Sequence, residues 1–392
     1  MTKPGLAHWT KLLKPSPTLA MTTRARELQA QGINVIAFAA GEPDFNTPAP
    51  ICEAAKKAID DGHTKYGPSR GFPALRNAIV EKVARENRFQ TDLNQIVVSC
   101  GAKHSLYNTF RVLLDPGDEV ILLAPYWMTY KDQVLLSGGF PVTVHTDSSN
   151  NFALDIDAVK AAITPKTKAI VINSPCNPTG TAFTRQEIKE LAALAIKHNL
   201  WIVSDEIYEH LTYNHEHTSV ATLSKEVAER TITILGCSKS YAMTGWRIGF
   251  SIAPPEITSA MANFQDQVTS NATSIAQYAA VAALNLNPEI IEGMRSEFEA
   301  RKDLGLEIIH SIPGVKAADP KGAFYFFIDI REHLGGDCPD DLALAEKLLD
   351  QAHIATVPGS VFEADGFLRL SYACSRAELT EGLNRLKEAL TF

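Results

Sequence analysis

The chain has 392 residues, of which 45% are hydrophobic and 21% charged, and a formal net charge of −8. That length suits about two domains with a sizeable core and excludes one small bundle. The charges are dispersed, and the absence of a basic stripe argues against nucleic acid and for small-molecule partners.

The first nine residues lack the apolar core of a signal peptide, and no stretch approaches the roughly 20 apolar residues of a membrane span, so no membrane association and a cytoplasmic protein are expected. Cys52, Cys100, Cys176, Cys237, Cys338 and Cys374 show neither C-x-x-C pairing nor metal spacing and are expected as reduced thiols.

In chain order, residues 1–17 are irregular and rich in Pro and Lys, which predicts an arm ordered by another surface such as a second copy of the chain. Thr18 can cap a helix running to Gln31 and closed by Gly32, and a short buried strand follows at 35–39. Gly41-Glu42-Pro43-Asp44 breaks it as a turn. Helical patterns cover 49–61 and 72–87, with Lys65-Tyr66-Gly67 between them, where a lone tyrosine is more often packing than function. The strand 95–99 runs into Cys100-Gly101-Ala102-Lys103 at the start of a helix. Small residues there expose backbone N–H groups at the positive end of the helix, a ready anion site. No dinucleotide fingerprint or Walker loop occurs.

A turn at 115–119 leads to a strand at 120–123 and then to Pro125-Tyr126-Trp127, an aromatic just past a strand end that can cover a flat ring, although core packing is the commoner use. The strand 168–172 ends in Asn173-Ser174-Pro175-Cys176-Asn177-Pro178-Thr179-Gly180; the strand 200–204, after a helix at 184–199, ends in Asp205-Glu206-Ile207-Tyr208. His215-Glu216-His217 reads as a solvated loop, without a third ligand for a metal. A buried strand at 231–235 then delivers Ser238-Lys239-Ser240-Tyr241-Ala242-Met243-Thr244-Gly245-Trp246-Arg247. From 288 a long polar helix runs through Arg301, followed by the apolar run 323–328, a helix at 341–352, short strands near Ile354 and Phe367, and a helix ending near Leu390. The alternation of strands and helices over 95–235 predicts a mainly parallel sheet of the α/β class, and the C-terminal part a smaller α+β unit.

The Lys239 segment organises the chemistry. An amine able to form an imine, a hydroxyl at Ser238 and the fork of Arg247 together suit an aldehyde that carries a phosphate, which is the covalent logic of pyridoxal 5'-phosphate. Asp205 at a buried strand end is costly unless paired, and a protonated ring nitrogen would pair it; capping a following helix is the competing reading. Asn177 can donate to a phenolic oxygen and Tyr208 can do the same from three residues beyond Asp205. Arg369 interrupts an apolar strand, where it either closes an internal salt bridge or binds a carboxylate.

Ser-Lys-Ser-Tyr-Ala-Met-Thr-Gly-Trp-Arg, with Asn-Pro-Thr-Gly, Asp-Glu-Ile-Tyr and Leu-Arg-Leu-Ser-Tyr, resembles the class I/II aminotransferases of fold type I. The nearest likeness is to the bacterial aspartate aminotransferases of subgroup Ib, some of which also act on prephenate. The resemblance implies a seven-stranded, mainly parallel large domain at 46–288, a small α+β domain at 18–45 plus 289–392, and an arm at 1–17. It assigns Lys239, Asp205 and Tyr208 to catalysis. Gly101, Ala102, Lys103, Trp127, Asn177, Ser238, Arg247 and Tyr66 would hold the cofactor, Trp127 by covering the ring and Tyr66 by reaching the phosphate of the opposite subunit of a homodimer. Gly41, Trp127, Asn177 and Arg369 would meet the amino acid or 2-oxo acid, Arg369 at its α-carboxylate. Lys103 would take the distal carboxylate, Lys14 and Thr18 a larger dicarboxylate, and no metal is implied.

The expected reaction is amino transfer from L-aspartate to 2-oxoglutarate, giving oxaloacetate and L-glutamate. The cofactor residues alone also allow transfer from alanine or aromatic amino acids, or β-elimination. A regulator that binds the cofactor without turnover would carry an added DNA-binding domain, for which the pattern starting near residue 14 leaves no room.

Overall fold

The computed structural model describes residues 5–13 and 17–391. Its first helix, α1 (Pro17–Ala30), begins one residue before the expected Thr18 cap, and Gly32 at φ +84° turns the chain out of it toward β1 (Ile36–Ala37). Helices α2 (Ala49–Asp60) and α3 (Pro73–Lys82) follow, each opened by a proline whose missing N–H is no loss in the first turn. The second expected helix does not stay regular to Asn87: after Lys82 it passes into a π turn, Val83–Asn87, which Arg88 ends at φ +61°.

From residue 96 to 284 the chain winds strands against helices in the order β2 (Ile96–Ser99), α4 (Ala102–Leu113), β3 (Glu119–Ala124), α5 (Thr129–Leu136), β4 (Phe140–His145), α6 (Ile156–Ala162), β5 (Thr167–Asn173), α7 (Arg185–Lys197), β6 (Trp201–Asp205), α8 (Lys225–Ala228), β7 (Thr231–Gly236), β8 (Gly249–Ile252), α9 (Pro255–Val268) and α10 (Ser274–Leu284). The strands make one seven-stranded sheet in the order β2-β8-β7-β6-β5-β3-β4, parallel except for β8, which is antiparallel to both neighbours. Two strands of this sheet were not anticipated. β4 is an edge strand carrying Pro141, a residue tolerated only where one side of the ladder is unpaired, and β8 is short and opens with glycine.

The pleat sends alternate residues to opposite faces, and both faces are covered. Leu122, Val171, Val203 and Ile232 pack against Leu106 and Phe110 of α4 and Met261 of α9. Ile121, Ile170 and Ile202 pack against Ile188, Leu191 and Ala195 of α7. Such two-sided burial explains the nearly continuous apolar runs of the central strands.

The rest of the chain forms α11 (Pro288–His310), β9 (Lys316–Ala317), β10 (Tyr325–Asp329), α12 (Asp341–Gln351), β11 (Ile354–Ala355), β12 (Val357–Pro358), β13 (Phe367–Ser371) and α13 (Arg376–Thr391). An antiparallel sheet runs β12-β13-β10-β9, and β1 pairs with β11, so the early strand joins this part through space. Phe324, Phe326, Leu370, Leu383 and Phe38 share its core. Among the described residues, no helix is long and apolar enough to cross a membrane.

Candidate active site

The carboxyl ends of the parallel strands gather the polar residues, as expected where ligands bind in open α/β sheets. In register, Asn173 at the end of β5 stands opposite Asp205 at the end of β6. Beyond β7 the chain turns back on itself, with the Met243 N–H donating to the Ser238 carbonyl at 3.2 Å, and this turn lifts Lys239 over the edge. Lys239 Nζ donates to the Gly41 carbonyl and lies 5.8 Å from the centroid of the Tyr208 ring and 5.5 Å from that of Phe324. It keeps some exposure to the cleft, yet burial pushes its ammonium down to about 8, helped by the charges of Arg369 and Arg247 and opposed by Glu42 and Asp205. An amine in that range is partly neutral near pH 7–8 and therefore nucleophilic.

Asp205 is buried. Its Oδ2 accepts the Tyr130 hydroxyl at 2.6 Å and its Oδ1 the Ile207 N–H at 3.3 Å. Burial raises its carboxyl to about 6, while the Tyr130 and Ile207 hydrogen bonds and the charge of Lys239 hold it from going higher. No helix begins after Asp205: residues 206–210 are a turn, so the competing role as a helix cap has nothing to cap. Tyr208, on that turn, places its hydroxyl 2.9 Å from that of Tyr325, and burial holds its phenol well above the usual range.

Arg369, in the middle of β13 opposite Phe327, is 3% exposed. Its Nη1 donates to Asn177 Oδ1 at 3.0 Å and its Nη2 to the Ala39 carbonyl at 2.9 Å, while Nε is buried without a partner. Among the described residues it forms no ion pair, which removes the internal salt bridge as its explanation. A buried guanidinium lacking a carboxylate is a standing cost that an incoming anion would relieve. Asn177 spends its carbonyl oxygen on Arg369, so its Nδ2 remains as the donor.

Across the cavity the start of α4 rests on β8. A side chain on Gly249 would collide with the Ala102 backbone, and one on Gly101, at φ +90°, with the Arg247 guanidinium; only glycines allow helix start, strand and arginine to converge. The Arg247 side chain is fixed by donating to the Thr244 carbonyl at 2.9 Å and the Cys100 carbonyl at 3.3 Å. Ala102, Ser238 and Arg247 line the same cavity and bring to it backbone N–H groups at a helix start, a hydroxyl and a cation, a set suited to phosphate. Lys103 sets its Nζ 4.8 Å over the Trp127 ring, and burial and the Arg247 charge lower its ammonium against the pull of Asp132. Gly41 comes close enough to the site that a Cβ there would lie 3.3 Å from the Tyr325 hydroxyl.

These residues line a single cavity of about 600 Å³. Gly41, Ala102, Lys103, Trp127, Asn177 and Asp205 are on its wall, and so are Tyr208, Ser238, Lys239, Arg247 and Arg369. Gly101 caps α4 just behind it. Tyr66 does not reach the cavity of its own chain and is 92% exposed. Lys14 lies outside the described residues, and so does the side chain of Thr18.

Sequence reasoning passed over four residues here. Tyr130 stands just past the Pro125-Tyr126-Trp127 stretch and Tyr325 inside the apolar run 323–328, neither with a motif of its own, and Thr22 and Arg26 of α1 line the cavity from a helix equally without one. Tyr130 follows Trp127 by three positions and their rings meet edge to face, but that spacing does not say that the hydroxyl reaches Asp205. The solvated reading of His215-Glu216-His217 needs correction at His217, which is mostly buried and bonds Glu206 at 3.0 Å, raising its imidazole despite burial; His215 is half-buried and Glu216 is exposed, 2.8 Å from Arg88. No cluster among the described residues could hold a metal ion.

A lysine with a lowered ammonium, a buried carboxyl with a raised one, a phosphate cradle and an unpaired arginine, all at one sheet edge, define a fold-type I transaminase site. Comparison with known proteins agrees: residues 33–386 match the family described as aminotransferase class I and II, and the chain belongs to that family. A probable aspartate/prephenate aminotransferase of Aquifex aeolicus is 47% identical, with 98% of each chain covered. An aspartate/prephenate aminotransferase of Thermus thermophilus is 43% identical over 98% of this chain and 99% of its own. Among solved structures, the aspartate aminotransferase of Thermus thermophilus with maleate superposes with a TM-score of 0.94, covering 98% of this chain and 99% of that one at 43% identity. That of Rhizobium meliloti gives 0.95 at 40% identity, with 98% of each covered. The protein is an aminotransferase with the α/β architecture of fold type I.

Proposed function

We propose that this aminotransferase uses pyridoxal 5'-phosphate to move the amino group of L-aspartate to 2-oxoglutarate, and that it also acts on prephenate. The observation that carries the reading is a pair of cations facing one cavity, Arg369 and Lys103, neither in an ion pair among the described residues. A dicarboxylate supplies two anions, and a monocarboxylate such as alanine would leave Lys103 unanswered. The names of the relatives support the same substrates.

Bound in this cavity, the cofactor supplies an aldehyde and a protonated ring that withdraws electrons from the substrate Cα. Lys239 would carry the aldehyde and, once displaced by the amino acid, move the Cα proton with its freed amine. Asp205 would hold the proton on the ring nitrogen, Asn177 Nδ2 and Tyr208 would donate to the ring oxygen, and Trp127 would cover the ring. Ser238, Arg247 and the first N–H groups of α4 would hold the phosphate. Arg369 would bind the α-carboxylate and Lys103 the distal one. The same reading takes the protein as a cytoplasmic homodimer whose partner's Tyr66 completes the phosphate site, and Tyr66's exposure supports it. It retains the division into an arm at 1–17, a large domain at 46–288 and a small one at 18–45 plus 289–392, supported by the separate sheets, β12-β13-β10-β9 and β1-β11 on one side and the seven-stranded sheet on the other.

Borohydride reduction of the cofactor-loaded protein followed by peptide mass spectrometry is expected to label Lys239, and a label on Lys103 would refute the assignment. Incubation with aspartate and 2-oxoglutarate should yield oxaloacetate and glutamate; faster turnover with alanine or an aromatic amino acid would replace the substrate proposal.

A further inference from the structure

Tyr325 has no part in the roles assigned above, yet it stands between two residues that do. Its backbone is fixed in β10, paired with Ser371 of β13, and its side chain is fully buried. The Tyr208 hydroxyl, 2.9 Å away, is its one hydrogen-bond partner among the described residues, and by geometry either can donate. The face of its ring lies 4.5 Å from the guanidinium carbon of Arg369. Gly41 leaves room for the hydroxyl, since a Cβ there would come within 3.3 Å of it.

We propose that Tyr325 is a positioning residue that donates its hydroxyl proton to Tyr208 and so commits the single Tyr208 proton to the ring oxygen of the cofactor, while its ring seats Arg369 for the substrate carboxylate. The inference rests on the proposed use of pyridoxal phosphate with Tyr208 at the ring oxygen. A phenolic hydroxyl has one hydrogen and two lone pairs. When that hydrogen points to the ring oxygen, only lone pairs remain toward Tyr325, and Tyr325 must be the donor. Its donation polarises the Tyr208 O–H bond, making Tyr208 a stronger donor to a negatively charged oxygen. The two roles use different parts of the side chain. The hydroxyl acts on Tyr208, and the ring acts on Arg369 through its electron-rich face.

Substitution can therefore take them apart. Tyr325→Phe keeps the ring and removes the hydroxyl. The absorbance of the bound cofactor changes with pH as the ring system loses a proton, and the form after that loss carries the more negative oxygen. A weaker Tyr208 donor stabilises that form less, so the midpoint in Tyr325→Phe should move up by about 0.5–1 pH unit, the size expected for one hydrogen bond. Binding of succinate, a dicarboxylate that does not react, should stay within about twofold, because the cation–π contact survives. Tyr325→Leu, lacking both parts, should show the same shift and also bind succinate about threefold to tenfold more weakly. In a Tyr208→Phe background, which should itself raise the midpoint, adding Tyr325→Phe should change nothing further.

An unmoved midpoint in Tyr325→Phe, or an equal shift with and without the Tyr208 hydroxyl, overturns the proposal. If Tyr208→Phe alone leaves the midpoint where it was, the placement of the ring oxygen against Tyr208 fails first and this inference falls with it. If Tyr208→Phe shifts the curve and Tyr325→Phe does not, the reading of the site stands and only Tyr325's role is wrong.

Discussion

The floor and the mouth of the cavity are built differently. On the floor, the polar groups are held by the fold and only Arg369 Nε is left open: Asp205 by Tyr130, Tyr208 by Tyr325, and the two Nη atoms of Arg369 by Asn177 and Ala39, all of them buried. At the mouth, Lys103 lies over Trp127 with no ion pair among the described residues and Arg26 is exposed on α1, while Tyr66 projects from the surface outside its own chain's cavity. Buried polar groups must be satisfied within the fold, so the floor is organised before any ligand arrives, and its geometry is set by the sheets. Groups at the mouth keep water as a partner and can be committed to a ligand at little cost. The proposed division of labour follows: a rigid floor for what every substrate shares, the ring, its nitrogen and the α-carboxylate, and an adaptable mouth for what distinguishes one substrate from another.

The largest effect should come from breaking the floor. Asp205→Ala is expected to retain cofactor, because the phosphate cradle and Lys239 remain, but to slow Cα proton removal by about 10²–10³-fold, the range for loss of one preorganised electrostatic contact. Single-turnover rates near wild type would make Asp205 a structural residue. The same carboxyl gives a thermodynamic test. Its folded value, about 6, lies above the ordinary 3.8, so folding favours the neutral form. That contribution is whole below about pH 4 and is lost as the pH rises through about 6, a difference near 3 kcal/mol at pH 7. Relative to Asp205→Asn, which cannot ionise, the cofactor-free protein should therefore lose about that much stability between pH 4 and 7 in urea titrations. Parallel curves for the two proteins would mean that Asp205 is solvated or paired in some other way.

Effects at the mouth should be smaller and selective. Lys103→Ala should lower kcat/KM for aspartate by about tenfold to a hundredfold, as for one hydrogen bond to a charged group, and leave alanine nearly unchanged. Equal losses for aspartate, prephenate and alanine would assign Lys103 to the cofactor alone. Tyr66→Phe should cost about tenfold or less. Its sharper use is in mixing: inactive Lys239→Ala subunits combined with Tyr66→Phe subunits should form hybrid dimers with one intact site, and activity above that of the unmixed parents checks the shared site. Activity equal to the parents' average would separate Tyr66 from the chemistry.

How much of this was legible beforehand differed by element. Lys239, Asp205, Asn177 and Arg369 could be picked out because each is a polar residue at the end or in the middle of an apolar strand, where the cost of burial demands a reason. The central strands were readable from their apolar runs for the same cause. β4 and β8 were not, since a proline at an edge and a glycine at a crossing point carry no apolar signature. Tyr130 and Tyr325 were invisible as site residues: a tyrosine's ring earns its burial by packing alone, and nothing local tells whether its hydroxyl meets water, backbone or a carboxylate. His217 misled for the opposite reason, its polar neighbours suggesting solvent while the buried Glu206, 11 positions earlier in the chain, drew it inward.

The sequence by itself determined the alternation of strands and helices, the lysine at a strand's carboxyl edge and the residue types of the phosphate cradle, because periodicity and the cost of burying charge act locally along the chain. Only the tertiary structure decided which hydroxyl faces Asp205, which ring lies under Arg369, that Arg369 meets no carboxylate among the described residues and that Tyr66 stands outside its own chain's cavity. Those outcomes depend on pairs such as Tyr130 with Asp205 and Asn177 with Arg369, brought together by sheet order and register across the fold, and no local pattern encodes a partner so far along the chain.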